Sequence, residues 1–445
     1  MLTPVGSEYI SQERRQYFLY TISSRALPYL SDGLKPSQRR GIWTARSGEK
    51  MKTASLAGAT MPIHPHAEIS DVISNMAGPW SNNVPLFAGY GAFGTMLAPG
   101  SYGAPRYTSV RLSDFTKDVV LVDIEIIPMQ LNYDDTLEEP AHFLPLVPIV
   151  LLNSTFGIAG GFQCSILPYD LKDIIKSQLK VLNGEVLNTE PPMPYFKPTD
   201  CRAVNSAIDP KNQNVRYTFE GEYQKLNSSE LKITKLPYGV EHSKFIDGLV
   251  KLEDDYKIVG FDDYSKDSIS IVVRFPKGFI NKTPHADIIK LLKLTNTETN
   301  NINVINFDGE TVLNTSYNEI VTLFTKWRLG FYVARYERLL SLLELDIQRY
   351  KDVILAIEKN VGGVAVKTKN KLELGDFLEY IGVVNIDYIS SLPVYRFTEE
   401  EKNKTQAKLD EALIQQREYI DLLSDQSKRV QIYVSELRYI MKNYG

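Results

Sequence analysis

"SDGLKPSQRRGIWTARSG", residues 31–48, places Asp32 and Gly33 ahead of Pro36 and a run of cations. Asp-Gly favours a turn, and Pro36 suits the first turn of a helix, where its missing N–H would go unsatisfied anyway. The spacing predicts a turn followed by a short basic helix. Upstream, residues 8–30 read as a helix. Downstream, 51–80 read as two further short helices, with "MPIHPH" (61–66) between them as an extended break forced by two prolines. The stretch "NVPLFAGYGAFGTMLAPGSYGAPRYTSVRL" (83–112), rich in Gly and Pro, reads as loop with short strands. Several helices followed by a small sheet and turn-rich loops are compatible with a helix-turn-helix or winged-helix unit.

The basic segment stands out against the whole chain, whose net charge is -4. From Met1 to Thr60 nine Lys and Arg face four Asp and Glu, a local +5. A basic patch on an acidic body suits a phosphate-binding face, and the same charges also suit an ordinary solvated helix face. The length of 445 residues exceeds what one core organises, so two to four domains are expected. With 43% hydrophobic and 23% charged residues the composition is that of a soluble globular protein. No apolar run of about 18 residues suggests a membrane span, and the N-terminus shows no secretory signal. Cys164 and Cys201 have no metal-like spacing, which fits a reducing cytoplasm and argues against disulfides or a zinc site.

From about 170 to 315 the texture changes. "VRYTFEGEY", "LKITKLP" and "SISIVVRF" alternate as strands of a mixed sheet, and "ADIIKLLKL" reads as a helix packed on it. In the last third, Tyr332, Tyr336, Leu339, Leu343, Ile347, Tyr350, Ile354 and Ile357 recur at spacings of three or four. So do Leu409, Leu413, Tyr419 or Ile420, Leu423, Val430, Val434 and Leu437. Two long heptad-patterned helices around a compact insert predict an antiparallel coiled coil running out and back, or a plain helical hairpin folded onto the same chain. Thr398 followed by Glu401 reads as a capping box that starts the return helix, so the small globular tip lies at about 360–397.

Several chemistries drop out. "GGVAVKTK" (362–369) lacks the glycine before Lys367 that a phosphate-binding loop needs. His64 and His66 have no neighbouring Cys, Asp or Glu at zinc-like spacing. "NYDDTLEEP" (132–140) clusters Asp134, Asp135, Glu138 and Glu139 but reads as an exposed loop. What remains is a set of phosphate-friendly groups, Arg25, Lys35, Arg39, Arg40, Lys52, His64, His66, Arg106 and Arg111, around Tyr107. A tyrosine hydroxyl titrates near pH 10, so it needs cations or a base to act as a nucleophile. An adjoining guanidinium supplies one cation and can stabilise a phosphoryl group in transfer.

Seven motifs in order carry a resemblance: "RALPYLSDGLKPSQRR" (25–40), "HPH" (64–66), "GYGAFGT" (89–95), "PRYTSVRLS" (105–113), "NYDDT" (132–136), "PIVLLNSTFGIAGGF" (148–162) and "SILPYDL" (165–171). Together they resemble the DNA breakage-reunion (A-type) subunits of type IIA DNA topoisomerases, and within that family more closely the medium subunits of T4-type bacteriophage enzymes. The resemblance implies a multidomain α+β fold. A winged-helix DNA-binding domain with its leading helices would occupy 1–165, an α/β tower domain 166–318, and a long antiparallel coiled coil with a small dimer-gate tip 319–445. It implies that Tyr107 attacks a DNA phosphodiester and becomes linked to the 5' end, with Arg106 as its catalytic partner. Arg25, Lys35, Arg39, Arg40, Lys52, His64 and His66 match positions that hold DNA phosphates, and Ile166 matches the isoleucine that wedges between base pairs of the bent duplex.

The same resemblance implies that Mg2+ and ATP are bound by a Toprim/ATPase partner subunit and not by this chain. It also implies homodimerisation through the coiled-coil gate, no membrane association, and a cytoplasmic location, the host's if phage-encoded. Because the chain stops soon after the second heptad helix, relaxation or unlinking without gyrase-like supercoiling is expected. Departures are Ala67 and Glu68 after His-Pro-His, and Tyr90 and Ala92 in the glycine loop. Ile69 and Ile73 replace the Ser and acid through which bacterial relatives meet quinolones, so weak sensitivity to those drugs is expected. Two other readings compete. A tyrosine recombinase carries its nucleophile near the C-terminus, far from position 107, and a coiled-coil DNA-organising protein explains the heptads but not the motif series.

Overall fold

The computed structural model describes residues 21–65, 69–159, 162–188, 190–210 and 214–445. They divide into two compact units, the first built from the chain up to Arg328 together with Val434–Gly445, the second from Leu329–Tyr433. No described helix is long and apolar enough to cross a membrane.

In the first unit the chain leaves helical geometry at Leu27, after a single wide turn over Ile22–Ala26. The helix expected over 8–30 therefore stops short, because Leu27 precedes Pro28 and is pushed to extended geometry; residues 8–20 lie outside the described ones. Gly33 adopts φ +69° beneath the backbone of Val150, whose nitrogen would lie 2.2 Å from any Cβ there, so only glycine fits. Helix α1 (Pro36–Thr44) follows with Pro36 in its first turn, as expected. Next come β1 (Met51–Lys52), α2 (Thr53–Thr60), α3 (Ser70–Ala77), β2 (Phe87–Tyr90) and β3 (Ser109–Leu112). The three strands form an antiparallel sheet in the order β1-β3-β2. Ile42, Leu56, Ile73, Phe87 and Val110 are all buried between helices and sheet.

Two hairpins extend this unit, β4 (Met129–Leu131) with β5 (Glu138–Pro140) and β6 (Thr155–Ala159) with β7 (Phe162–Ile166). Helix α4 (Leu171–Leu182) is capped by Asp170, which accepts from the Lys172 amide at 2.7 Å. Beyond it lie β8 (Tyr195–Phe196), β9 (Cys201–Ile208), β10 (Val215–Glu220), β11 (Glu222–Lys225), β12 (Glu230–Lys235), α5 (His242–Asp254), β13 (Gly260–Asp263), β14 (Ile271–Arg274), α6 (Phe279–Lys282), α7 (His285–Leu291) and β15 (Thr295–Asn300). They make two four-stranded sheets, β15-β10-β9-β8 and β11-β12-β14-β13. The expected mixed sheet is not found: every registered pair in the two sheets is antiparallel. Short connections suffice between antiparallel neighbours, whereas parallel ones need a crossover of a dozen or more residues. Leu231, Ile233, Ile271 and Val273 pack with Phe245 and Leu249 of α5 and Ile288 of α7 into one apolar core.

After a final hairpin, β16 (Ile302–Ile305) with β17 (Val312–Thr315), helix α8 (Tyr317–Glu358) begins. Fully buried Arg328 on it pairs with Asp123 and donates to the carbonyls of Leu144 and Pro145, each at 3.1 Å.

The second unit holds most of α8, then α9 (Val361–Ala365), α10 (Lys371–Tyr380), α11 (Ile386–Ser390), α12 (Glu399–Ser424) and the start of α13 (Gln426–Tyr444). Contacts pair rising numbers on α8 with falling numbers on the return: Tyr332 with Tyr433, Tyr336 with Tyr419, Glu344 with Gln416, Glu358 with Lys402. The helices are therefore antiparallel. Their seam joins Leu343, Ile347, Tyr350 and Ile354 to Leu409, Ala412 and Leu413, the spacing legible in the sequence. Thr398 caps α12 through the Glu401 amide, while the Glu401 carboxylate goes to Arg396 and Lys404 and not back to the cap. The return is not one long helix: it breaks at Asp425, whose carboxylate accepts from the Ser427 amide at 2.7 Å and starts α13 afresh. Between them, Val361, Leu378, Val383 and Ile389 form a small separate core with Val353 and Ala356.

Candidate active site

Tyr107 sits in a tight turn, its amide donating to the Ala104 carbonyl at 2.8 Å. Three contacts fasten this turn to the start of α2. The Thr53 amide donates to the Thr108 carbonyl, the Ala54 amide to the Pro105 carbonyl, both at 3.2 Å, and the Thr53 and Thr108 hydroxyls meet at 2.8 Å. The backbone is thus fixed while the ring stands in solvent: Tyr107 is 69% exposed. The Arg106 guanidinium lies over its ring, 4.9 Å from the centroid, and the Lys52 amine donates to its carbonyl oxygen at 3.2 Å. An exposed phenol beside two cations suits an anionic ligand.

The remaining sequence-selected residues divide. Arg25 is exposed, at the end of the Ile22–Ala26 turn. Lys35, at the N-terminus of α1, donates to the Phe156 carbonyl at 2.8 Å, and burial lowers its pKa. His64 follows α2 with its ring 5.5 Å from that of Tyr133. His66 lies outside the described residues.

Arg39 does not face a phosphate site. It is 3% exposed and grips Asp32 with Nε at 2.6 Å and Nη2 at 3.0 Å. Asp32 also accepts from the amides of Leu34 and Phe143, each at 3.1 Å, so this ion pair clamps the turn, the helix and a distant loop together. Arg40 is part-buried and engaged in a two-point contact with Glu139, at 2.5 and 2.9 Å. Arg111 donates to both Asp114 and the Tyr90 hydroxyl at 2.8 Å, and so is held by the tyrosine of the glycine loop.

Ile166 also requires correction. It is 1% exposed and cannot wedge into a duplex as placed. In the β6–β7 hairpin it pairs with Thr155, and strand alternation turns it, with Cys164, to the packed face. The opposite face presents Phe156 and Ile158, 62% and 65% exposed. Neither stands out in the sequence. The available signal is period-two alternation, which sets Phe156 and Ile158 against Gly157 on one strand and Cys164 and Ile166 against Ser165 on the other, without giving the register that relates the two strands or saying which set is outermost.

Among the described residues no group of three or more His, Cys, Asp or Glu could hold a metal ion. Asp134 of the acidic loop instead closes a turn, accepting from the Thr136 hydroxyl at 2.6 Å, a contact that holds its carboxyl below the usual range.

The family of DNA gyrase and topoisomerase IV A-type subunits matches residues 25–438. The chain is 27% identical over 412 residues to the DNA topoisomerase medium subunit of Enterobacteria phage T4, covering 89% of this chain and 90% of that protein. It is 25% identical over 474 residues to the A-type subunit of DNA topoisomerase 4 from Pseudomonas aeruginosa, covering 99% of this chain but 61% of that one. Against the A-type subunit of DNA gyrase from Chlamydia pneumoniae the values are 25%, 98% and 56%, so the chain spans less than two thirds of these two relatives. The crystal structure of the Plasmodium falciparum topoisomerase II DNA-binding, cleavage and re-ligation domain superposes with TM-score 0.81 over 96% of this chain and 64% of that one; at 23% identity this is a likeness of fold.

Proposed function

The chain belongs to the family of DNA gyrase and topoisomerase IV A-type subunits, and on that premise we propose that it is the DNA cleavage and re-ligation subunit of an ATP-dependent type II topoisomerase. The observation that carries this reading is the braced turn that presents Tyr107 to solvent beside Arg106 and Lys52. In the proposed reaction the Tyr107 oxygen forms a bond to a DNA phosphorus as the bond to the 3' oxygen breaks. The phenolic proton is given up, the 3' oxygen leaves as a hydroxyl, and the 5' end stays on the protein. One phosphodiester replaces another, so resealing by the reverse step needs no external energy. Arg106 stabilises charge on the phosphoryl oxygens in transfer.

Helices α1–α3 with the sheet β1–β3 serve as the winged-helix surface for the duplex, and Lys35, Arg25, Lys52 and His64 as its phosphate contacts. Ile158, and not Ile166, takes the wedge role, since it is the exposed isoleucine of the hairpin. The segment 166–318 acts as the tower. The antiparallel helices and the tip at about 360–397 act as a coiled coil and dimer gate, whose contact is made by exposed apolar residues such as Leu372 and Tyr380. A Toprim/ATPase partner supplies Mg2+ and ATP; the metal, when bound there, lends Lewis-acid stabilisation to the scissile phosphate.

The test combines the chain with such a partner, Mg2+, ATP and supercoiled plasmid, quenches with detergent and maps protein-linked ends. Wild type is expected to remain on 5' ends, and Tyr107→Phe to give none. Arg106→Ala should lower the cleavage rate about 10²-fold or more. Undiminished trapping by Tyr107→Phe would falsify the assignment. Relaxed circles in the same assay read whether negative supercoils are introduced.

A further inference from the structure

Phe156 is an apolar ring left in solvent on a rigid mount, and nothing within the fold accounts for it. Burying such a side chain would contribute about 1.5–3 kcal/mol, yet the ring is 62% exposed. The mount is braced from behind. A Cβ on Gly157 would sit 2.0 Å from the Ala26 carbonyl oxygen, so the strand lies directly on that backbone. Ser165 exchanges backbone hydrogen bonds with Asn301 at 2.9 and 2.8 Å, and the Asn301 and Asn303 side chains both donate to the Gln163 carbonyl at 2.7 Å. The Lys35 amine holds the Phe156 carbonyl itself.

Strand geometry then fixes what the ring can reach. Phe156 and Ile158 are two residues apart on one face, about 6.7 Å along the strand, which is roughly two base-pair rises of about 3.4 Å. Phe156 also lines a groove of about 620 Å³ together with Lys35, Ser37 and Gln38 at the N-terminus of α1 and with the carboxylates Asp71 and Glu298. A duplex strand whose phosphates lie against that helix end brings its bases to the Phe156 ring.

Resting on the reading above, we propose that Phe156 makes a second, sequence-selecting contact with the bent duplex. Its ring stacks on the base step about two base-pair rises from the one Ile158 opens and favours a flexible pyrimidine–purine step there. The chemistry is general: an aromatic face stacks on any base, and TA and CA/TG steps unstack at least cost. Ile158 would provide the bend, and Phe156 the choice of where it falls.

Duplexes differing only at that step, pyrimidine–purine or a stiff A-tract, are titrated with the full chain carrying Tyr107→Phe, with and without Phe156→Ala. The step carries 2-aminopurine to report unstacking. Phe156→Ala should weaken binding to the flexible duplex about tenfold, within the range of single base–aromatic stacks, and to the stiff one by only about twofold, below that range. The 2-aminopurine signal should fall as well, and Phe156→Trp should restore both. Equal losses on the two duplexes, or none, overturn the proposal, as does an unchanged 2-aminopurine signal. Because these measurements use an uncleaved duplex, they decide the Phe156 contact even if the Tyr107 trapping experiment fails.

Discussion

Asp32 collects four hydrogen bonds in the interior, so Arg39→Ala would leave a buried carboxylate without its counter-ion. A loss of about 3–5 kcal/mol is expected, read as a lower urea midpoint before any change in DNA affinity is measured. Lys52 behaves oppositely, being exposed and tied to the Tyr107 carbonyl. Lys52→Ala should weaken binding to all sequences alike and reduce the slope of log affinity against log salt by about 0.9, the value of one phosphate contact. His142 gives a pH signature. Its ring packs on Trp327 at 5.4 Å, and burial pushes its pKa below the ordinary value against the pull of Asp32. A depressed value means that the fold favours the neutral ring. The contribution is complete above about pH 6.5, the unfolded value, and is lost as the pH falls through the lower folded value. The urea midpoint should therefore drop from pH 7 to pH 5, and the non-titrating His142→Gln should flatten that drop.

Among the elements, the β6–β7 hairpin is set by one close approach. Gly157→Ala would force the strand off the Ala26 backbone and is expected to cost about 1–3 kcal/mol, with parallel loss of DNA affinity if the hairpin reaches the duplex. Helix α3 carries a second expectation. Ile69 and Ile73 are buried, lying within 4 Å of where a Cβ on Gly41 would stand, and so face α1 and not solvent. Fluoroquinolones should then trap little cleaved DNA at doses effective on bacterial enzymes, and potent trapping would contradict this. The helices themselves were legible because their signals are local: Pro36 in a first turn, Thr398 as a cap, and Leu343, Ile347, Tyr350 and Ile354 at heptad spacing. The proposal for Tyr107 rests, in the sequence, only on the motifs around it. What sequence could not rank was decided by distant partners. Arg39 and Arg40 look alike in sequence, and only Asp32 and Glu139 assign them inward roles. Ile158 and Ile166 look alike too, and which faces outward depends on Ala26 and Asn301, far away along the chain.

For the whole molecule, the proposed double-strand break needs two tyrosines and hence two copies of the chain. Leu372 and Tyr380 are 79% and 87% exposed on the tip. Sedimentation should show a dimer at micromolar concentration, and Leu372→Asp with Tyr380→Asp should weaken it at least about tenfold, or 1.4 kcal/mol. A monomeric wild type would remove the gate from that surface. The proposed strand passage also asks that a cut end be carried away and brought back in register. The turn holding Tyr107 is pinned to α2 through the backbone at Thr53 and Ala54. A DNA end bonded there has only the rotations of one side chain and its ester between itself and a rigid scaffold. Under the proposed reaction it would travel as cargo bolted to a chassis, its return address written in the position of α2, and faithful rejoining would follow from bringing that helix back.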